Sequence, residues 1–357
     1  MAANPAPAPA HDLLAGAPPG TTAQPRAIAG WLMAVAALVL LMLAVGGITR
    51  LTESGLSMVR WEPISGAVPP LNDAQWQAEF DAYKATPEYR KVNSGMALPA
   101  FKRIYFWEYL HRLIGRLIGL AFALPLAWFA WKRAIPKGYG GRLTALLALG
   151  GLQGAIGWWM VASGLIDRPD VSHIRLAIHL IAALCIFAGL IWTALDLRDL
   201  ARNDRARPAR LTGASIGVLA VLAVQILLGA FTAGLDAGYA FSSWPKMGDD
   251  WFPAGGWQSG WSLAANVADN PIVVQFVHRW WAWAAAAAVL SLAWAAHRAG
   301  VKGASHAIVT LVVIQIGLGI ATLMSGVALP IAAAHQIVAA LLLASVIWAA
   351  HGIGRRA

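Results

Sequence analysis

Four histidines stand inside long apolar stretches of the 357-residue chain, where an ionisable side chain is costly to hold in lipid. They are His111, His179, His278 and His335, and each lies near the start of its stretch. A lone intramembrane histidine can simply hydrogen-bond a neighbouring helix, but four at matching positions favour a ligand role. Imidazole is a common axial ligand of haem iron, and helical bundles hold such cofactors in their cores. Histidine pairs on facing helices therefore predict one haem site in each half of the chain.

One carboxylate accompanies these histidines. Glu108 precedes His111 by three residues, so the two side chains share a helix face. The matching position before His278 is Gln275, which has nearly the same shape but cannot ionise. A carboxylate can act as a general base or stabilise a developing cation; the alternative is a structural pairing with a nearby arginine such as Arg112. The asymmetry favours a catalytic N-terminal half and an electron-handling C-terminal half.

Two arginines directly follow a histidine of this set. Arg112 and Arg279 are cations inside apolar segments, and each needs an anionic partner or a route to water. Haem propionates are suitable partners. Snorkelling of the side chain toward the membrane interface is the alternative, and the sequence favours neither.

The composition requires a membrane protein around these residues. Hydrophobic residues make up 59% of the chain and charged residues 12%, with a mean hydropathy of +0.60. Soluble proteins carry about 25% charged residues, so a soluble enzyme and a disordered chain are both excluded. At about 20 apolar residues per span, the apolar runs predict eight helices, at 27–48, 105–131, 143–163, 174–195, 212–234, 272–296, 304–325 and 330–351.

The two halves of the chain resemble each other in the order of their motifs. Thr49-x3-Glu53-x-Gly55-x5-Trp61 recurs as Thr232-x3-Asp236-x-Gly238-x5-Trp244, and Gln153-x3-Gly157 recurs as Gln315-x3-Gly319. Because four helices repeat as four helices, both halves cross the membrane in the same sense, which is a parallel repeat. The predicted fold is an all-α integral membrane protein with eight transmembrane helices, arranged as two pseudo-symmetric four-helix bundles in a parallel 4+4 repeat.

This organisation predicts four segments. They are a disordered cytoplasmic tail at 1–26, an N-terminal bundle at 27–195 with a long outer loop at 50–103, an arginine-rich cytoplasmic linker at 196–210, and a C-terminal bundle at 211–357. His173 has no counterpart in the second half, and we expect it at the surface. Cys185, the single cysteine, is expected to be a small core residue.

The outer loop contains a candidate amphipathic helix. Asn72 or Asp73 can cap it, and Trp76, Phe80 and Tyr83 then fall on one face. The helix either lies on the membrane surface or packs against other loop residues.

Basic residues set the predicted orientation. With the N-terminus inside, the inner segments hold 14 lysines and arginines, and the short outer segments hold three. Cytoplasmic loops carry such an excess, so both termini are predicted to be cytoplasmic and the four histidines to lie in the outer half of the membrane. The same distribution accounts for the net charge of +10 without nucleic acid as a partner.

Specific motifs of the chain resemble haem A synthase, in particular its proteobacterial and mitochondrial branch, which lacks cysteine pairs in the outer loops. The resemblance covers nearly all of residues 27–351. The motifs that carry it are GGITRLTESGLS at 46–57, FWEYLHR at 106–112, QG at 153–154 with SGL at 163–165, and RLAIHL at 175–180.

This resemblance implies an oxidoreductase that converts haem O to haem A for cytochrome c oxidase. The methyl group at ring position C8 is hydroxylated twice, with water as the oxygen source, and dehydration then gives a formyl group. By the same resemblance, His278 and His335 hold a resident haem b, His111 and His179 bracket the substrate haem, and Glu108 is the catalytic carboxylate. The implied partners are haem O synthase, cytochrome c oxidase assembly factors and an electron acceptor. The implied location is the inner (plasma) membrane.

Two other functions compete with this one. A bis-histidine membrane cytochrome b that only carries electrons explains the four histidines but not the difference between Glu108 and Gln275. A transporter needs no set of histidines at one depth, and its repeat is more often inverted.

Overall fold

The computed structural model describes residues 23–62, 65–166 and 168–356, and within these ranges every regular element is helical. Three short helices lie in loops: α2 Asp73–Lys84, α3 Pro87–Lys91 and α8 Leu263–Asp269. The long helices are α1 Pro25–Leu51, α4 Leu98–Trp131, α5 Gly140–Ala162, α6 His173–Leu200, α7 Gly213–Gly234, α9 Pro271–Arg298, α10 Lys302–Met324 and α11 Leu329–Gly354.

The long helices coincide with the predicted spans apart from their ends. Helix α1 begins at Pro25, so the last two residues of the predicted tail are helical, while residues 1–22 lie outside the described part of the chain. Helix α4 begins at Leu98, where the apolar pattern predicted a start at 105. Helix α6 continues to Leu200 and includes the first five residues of the predicted linker.

Seven of the long helices in the described ranges are long and apolar enough to cross a membrane. The chain is therefore a multi-pass membrane protein. The prediction of eight such helices differs at α9, which has 28 residues but is not among the seven. The reason is its composition, because α9 carries His278, Arg279 and several tryptophans that lower its hydropathy.

Local sequence signals explain where several helices begin. Proline occupies one of the first two helical positions in α1, α4, α9 and α11, where its missing N–H would have no partner in any case. The side chains of Ser172, Thr212 and Asn270 accept hydrogen bonds from backbone N–H groups at the starts of α6, α7 and α9. These signals fix the ends of the helices that carry the candidate site.

The long helices pack in two groups. Helix α1 packs against α4 and α6, and α5 packs against α6; in the second group α9 packs against α7, α10 and α11. Helices α6 and α11 connect the groups, since α11 contacts both α1 and α6, and α6 contacts α7. Their buried apolar side chains form one continuous core, which includes Ile28, Leu190, Val289, Ile308 and Val346.

Polar contacts also join the two groups at several heights. Near one end of the helices, Arg50 of α1 donates to Asp236 Oδ1 at 2.8 Å. Farther along, Gln336 of α11 donates from Nε2 to the Leu43 carbonyl of α1 at 2.9 Å. Gly47 allows this approach, because a Cβ at that position would overlap the Gln336 side chain.

A buried carboxylate joins them at the opposite end. Asp196 of α6 accepts a hydrogen bond from Arg142 of α5 at 2.6 Å and one from the Ala209 backbone N–H at 2.8 Å. His351 of α11 places Nε2 2.9 Å from the same carboxylate. One side chain thereby connects two helices of the first group, the linker and the last helix.

The outer-loop helix α2 packs on protein. Asn72 caps it by accepting a hydrogen bond from the Gln75 N–H at 2.9 Å. Phe80 and Tyr83 of α2 stack near Phe101 of α4, with ring centroids 5.0 and 5.2 Å away. The apolar face of α2 is thus covered by the start of α4, which supports packing against protein and not a position on the membrane surface.

The prediction for Cys185 is wrong. Its side chain is exposed on the outer face of α6 and does not lie in the core. In a membrane-spanning helix the lipid-facing side is itself apolar, so an apolar neighbourhood in the sequence does not distinguish that side from the core.

Candidate functional site

The four histidines share one packing arrangement. Each imidazole is half-buried and rests against a glycine on the preceding long helix, where a side chain would collide with the ring. From the position a glycine Cβ would occupy, the ring carbon Cε1 is 2.9 Å away for Gly46 and His111, 2.9 Å for Gly157 and His179, 3.1 Å for Gly229 and His278, and 3.0 Å for Gly319 and His335. At these distances only glycine, whose side chain is a single hydrogen atom, fits beside the ring.

A glutamine one turn before the glycine holds three of the four rings. Gln153 Nε2 lies 3.0 Å from His179 Nδ1 and donates to the His179 carbonyl at 2.8 Å. Gln225 Nε2 lies 3.2 Å from His278 Nδ1, and Gln315 Nε2 lies 3.4 Å from His335 Nε2. The donor and acceptor roles in each glutamine–histidine contact depend on which ring nitrogen carries the proton.

The ring of His111 differs from the other three. On α1 the residue one turn before Gly46 is Met42, which offers no amide, and His111 Nδ1 is buried without a hydrogen-bond partner. His111 is therefore the least constrained of the four imidazoles. It is also the one that lies next to the carboxylate.

The histidines are close in pairs, one pair in each group of helices. His111 of α4 lies near enough to His179 of α6 for their charged forms to repel each other, and the same holds for His278 of α9 and His335 of α11. No group of three or more histidine, cysteine, aspartate or glutamate side chains suited to a bare metal ion occurs in the described part of the chain. Two imidazoles near each other in one group of helices are residues that could hold a haem.

Unpartnered polar atoms also gather at these rings. His335 Nδ1 and the Oε1 atoms of Gln153, Gln225 and Gln315 are buried without a hydrogen-bond partner. Buried polar atoms are normally satisfied. Together with the glycines that lie against the rings, these unpartnered atoms are consistent with a site that binds a further group.

Glu108 is buried beside the first histidine pair, and three neighbouring donors bind its two carboxylate oxygens. Its side chain is 4% exposed and forms an ion pair with Arg112 through Oε1. Oε2 accepts hydrogen bonds from the Ser57 hydroxyl and the Met58 backbone N–H, both at 2.7 Å. The structural pairing that the sequence left open is thus present.

The second histidine pair has the same framework with the opposite polarity. Gln275 donates from Nε2 to the Phe241 carbonyl at 3.0 Å, and its Oε1 accepts from Arg279 at 3.1 Å. Where the Met58 backbone presents an N–H to Glu108, the Phe241 backbone presents a carbonyl to Gln275. The loop backbone therefore matches a carboxylate in one half and an amide in the other.

Both arginines hold the outer loops onto the helices. Arg112 donates to the Met58 carbonyl at 2.7 Å and the Arg60 carbonyl at 2.8 Å. Arg279, with 6% of its surface exposed, donates to the Phe241 and Ser243 carbonyls, both at 2.9 Å. Burial of Arg279 contradicts the alternative of snorkelling into water. A propionate would have to share these guanidinium groups with the loop carbonyls.

His173 has a different position from the one predicted. It is buried, with 6% exposed, and does not lie at the surface. Gly234 of α7 packs directly against its Cβ, and its Nε2 lies 3.2 Å from Asp269 Oδ1. The residue has no counterpart in the second half because it fills a junction between α6 and α7 that occurs once.

Sequence reasoning missed a second buried acid on this side of the chain. Glu88 of α3 is 5% exposed, and burial raises its pKa to about 8. The carboxyl group therefore carries a proton at neutral pH. Its spacing from the other site residues gave no signal, because the outer loop alone brings it near Glu108.

Known proteins support a single family. The family model described as cytochrome oxidase assembly protein matches residues 29–347. A heme A synthase of Rhizorhabdus wittichii is 61% identical over 340 residues, which is 95% of this chain and 97% of that protein. Heme A synthases of Sphingopyxis alaskensis and Erythrobacter litoralis are 56% and 53% identical over 93% and 92% of the chain, and 94% and 97% of those proteins are covered. The chain belongs to the haem A synthase family of cytochrome oxidase assembly proteins.

Proposed function

We propose that this protein is a haem A synthase, an oxidoreductase that converts the C8 methyl group of haem O to a formyl group. The observation that carries the proposal is a matched pair of bis-histidine sites of which only one has a buried carboxylate, in a chain 61% identical to a heme A synthase. Methyl plus one water gives formyl, four protons and four electrons. Two hydroxylations produce a geminal diol, which loses water.

In this proposal the chain crosses the membrane eight times, with α9 as the eighth span. Helix α9 has 28 residues and packs on α7, α10 and α11, as a bundle helix does. In each half, the arginine that follows the histidine donates to two carbonyls of the preceding outer loop. Arg279 donates to Phe241 and Ser243 in the same way that Arg112 donates to Met58 and Arg60. This supports two related bundles, at 27–195 and 211–357, joined by the linker at 196–210.

The two histidine pairs have different roles. His278 and His335 hold a resident haem b, and the fit rests on their paired rings and glycine cradles. When bound, haem b would supply a one-electron redox centre for the oxidation, with an external molecule as the electron acceptor. His111 and His179 bracket haem O. The freer ring of His111 suits a ligand that must accept and release its substrate.

Glu108 is the catalytic carboxylate of the first site. Two donors and an arginine hold both of its oxygens, so it is fixed as an anion on the face of α4 that also carries His111. A fixed anion stabilises positive charge that develops on the methyl carbon during oxidation. Water then attacks that carbon, and Glu108 orients the water as an acceptor. Arg112 and Arg279 are candidate propionate contacts.

The protein's surroundings follow from the same proposal. It lies in the inner (plasma) membrane with both termini cytoplasmic and the haem sites toward the outer side. Haem O is its substrate, and haem O synthase and cytochrome c oxidase assembly factors are its partners. The family description, cytochrome oxidase assembly protein, supports the last of these.

One observation favours a second function. Because Glu108 is paired with Arg112, its role can be structural, and the protein would then be a bis-histidine membrane cytochrome b that carries electrons. The two functions differ in the pigments extracted from purified protein. A synthase yields haem A or haem O beside haem b, whereas an electron carrier yields haem b alone.

The Glu108→Gln variant tests the catalytic assignment. When expressed with a haem O source, the unaltered protein should yield haem A, and the variant should yield haem O with at most about 1% of the haem A, because a general base or charge-stabilising group contributes about 10²–10⁴-fold in rate. Extracted haems are separated by chromatography, and haem b is measured in the same samples.

Controls separate chemistry from folding in this experiment. Ser57→Ala removes one donor to Glu108 but keeps the charge, and it should retain most haem A production. In the Glu108→Gln variant the new amide lies against the Met58 N–H and can disturb the local fold. The loss of haem A therefore counts as a catalytic effect only if the variant retains haem b. Near-normal haem A from Glu108→Gln would exclude the catalytic role, and joint loss of haem A and haem b would assign a structural one.

The Gly319→Val variant tests the haem b site through its geometry. The new side chain would push the His335 ring away from its position, since even a Cβ there lies 3.0 Å from the ring. Changes beside a metal ligand typically lower metal affinity about 10–100-fold, so haem b per protein should decrease strongly, as it should in His335→Ala and His278→Ala. The pyridine haemochrome assay measures it.

The matched control lies two residues away on the same helix. A Cβ on Gly317 meets nothing within 4 Å, so Gly317→Val should retain haem b. Equal haem b in all four variants would show that this pair does not hold the cofactor.

Reporter fusions test the orientation. Fusions after residues 140, 205 and 300 should report the cytoplasm, and fusions near 85 and 255 should report the outer side, because lysine and arginine concentrate in the first set of segments. An active alkaline phosphatase fusion at 205 together with an inactive one at 85 would reverse the topology. An outer-side signal at 300 together with one near 255 would remove α9 from the set of spans.

A further inference from the structure

A large cavity lies between the two groups of helices, at the end opposite the outer loops. Its volume is about 810 Å³, within the range of about 300–1,000 Å³ that is usual for small-molecule sites. Helices α1, α6, α10 and α11 contribute its walls. It is separate from both histidine pairs, whose rings do not line it.

The mouth of the cavity is strongly basic. Four arginines line it, Arg198 and Arg202 from the end of α6 and Arg355 and Arg356 from the end of α11. Among the described lining residues the one carboxylate is Asp199, which forms an ion pair with Arg355 and lies 3.9 Å from Arg202. The guanidinium groups thus outnumber the carboxylate at the mouth, and an anion there would be favoured.

The interior of the cavity is apolar. Ile191 and Leu195 of α6, Leu311 of α10 and Leu341 of α11 line it. Along α11 the lining extends from Leu341 to Gly352, which is about 17 Å at 1.5 Å per residue. Half of a bilayer's hydrocarbon core is about 15 Å thick, so the cavity extends from the level of the headgroups to about the midplane.

We propose that this cavity binds one anionic phospholipid, with its phosphate at the arginines and an acyl chain in the apolar interior. Arginine binds phosphate through two parallel N–H···O bonds, and basic pockets at helix ends bind anionic headgroups in other membrane proteins. A soluble anion would leave the apolar walls uncovered. A zwitterionic lipid would leave the excess positive charge of the mouth unbalanced.

The bound lipid stabilises the junction between the two groups of helices. The cavity walls come from both groups, and the buried contact between Asp196 and His351 lies beside it. A ligand that binds only the assembled form raises its stability. The lipid is therefore expected to act on the stability of the whole chain, independently of the histidine sites.

Binding is tested with the purified full-length protein in detergent. Native mass spectrometry and thermal unfolding are recorded with phosphatidylglycerol, with phosphatidylcholine of the same acyl chains, and with glycerol phosphate. We expect phosphatidylglycerol to bind at least about tenfold more tightly than phosphatidylcholine, since the basic residues at the mouth favour an anionic headgroup. It should also raise the unfolding temperature, and glycerol phosphate should do neither.

The variant Arg198→Gln/Arg202→Gln should lose this preference by about tenfold or more. Its matched control is Arg205→Gln/Arg207→Gln, which removes the same charge from exposed linker residues that do not line the cavity and should bind within about twofold of the unaltered protein. Ala344→Phe, which fills the apolar interior, should also weaken phosphatidylglycerol binding.

Several results would overturn the proposal. Equal binding of the two phospholipids would do so, as would an equal loss in the linker control, which would indicate a diffuse charge effect. Tight binding of glycerol phosphate would identify a site for a soluble anion. Unchanged binding in Ala344→Phe would place the lipid outside the cavity.

Discussion

An imidazole inside a helical bundle needs a place where the neighbouring helix has no side chain, and this requirement organises the whole molecule. Gly46, Gly157, Gly229 and Gly319 supply that place on α1, α5, α7 and α10. The histidines stand on the long helices that follow, so each pair of consecutive long helices forms one unit of a glycine and the imidazole that rests against it. Because close packing transmits small displacements, the register between the two helices of a unit fixes the position of its ring.

The two groups of helices surround this unit with different polar groups, and the difference extends beyond one side chain. Glu108 receives a backbone N–H from Met58, whereas Gln275 donates to the backbone carbonyl of Phe241. A glutamate in place of Gln275 would face that carbonyl, and two acceptors in contact are unfavourable. The charge of the first site is thus supported by the conformation of its loop, and the neutrality of the second is supported in the same way.

Sequence alone predicted the elements better than their contacts. Hydrophobic runs located all the long helices to within several residues, since burial in lipid demands a continuous apolar segment. The half-to-half repeat showed Gln153-x3-Gly157 and Gln315-x3-Gly319, but two residues four apart on an apolar helix are too common to identify Gln225 and Gly229 without the ring they touch. Loop contacts such as Met58 with Glu108 join residues 50 positions apart, and no local pattern encodes them.

The same limit explains the residues that were predicted in the wrong place. His173 and Cys185 both lie on α6, where helical periodicity is weak because one side faces lipid and the others face protein, and all of these sides are apolar. Only the neighbouring helices decide which residue is covered. The polarity of a residue predicts burial well at a water boundary and poorly at a lipid boundary.

Helix α1 connects the two sites mechanically. Gly46 cradles His111, and the next residue, Gly47, packs on Gln336, which itself follows His335 in the chain. Gln336 also donates to the Leu43 carbonyl one turn earlier on α1. A displacement of α1 by a fraction of an ångström would therefore alter the contacts of His111 in one group of helices and of Gln336, the neighbour of His335, in the other. The buried Asp196 contacts and the Arg50–Asp236 pair hold the two groups of helices together at either end, and between them α1 keeps its position against the His111 ring and against Gln336.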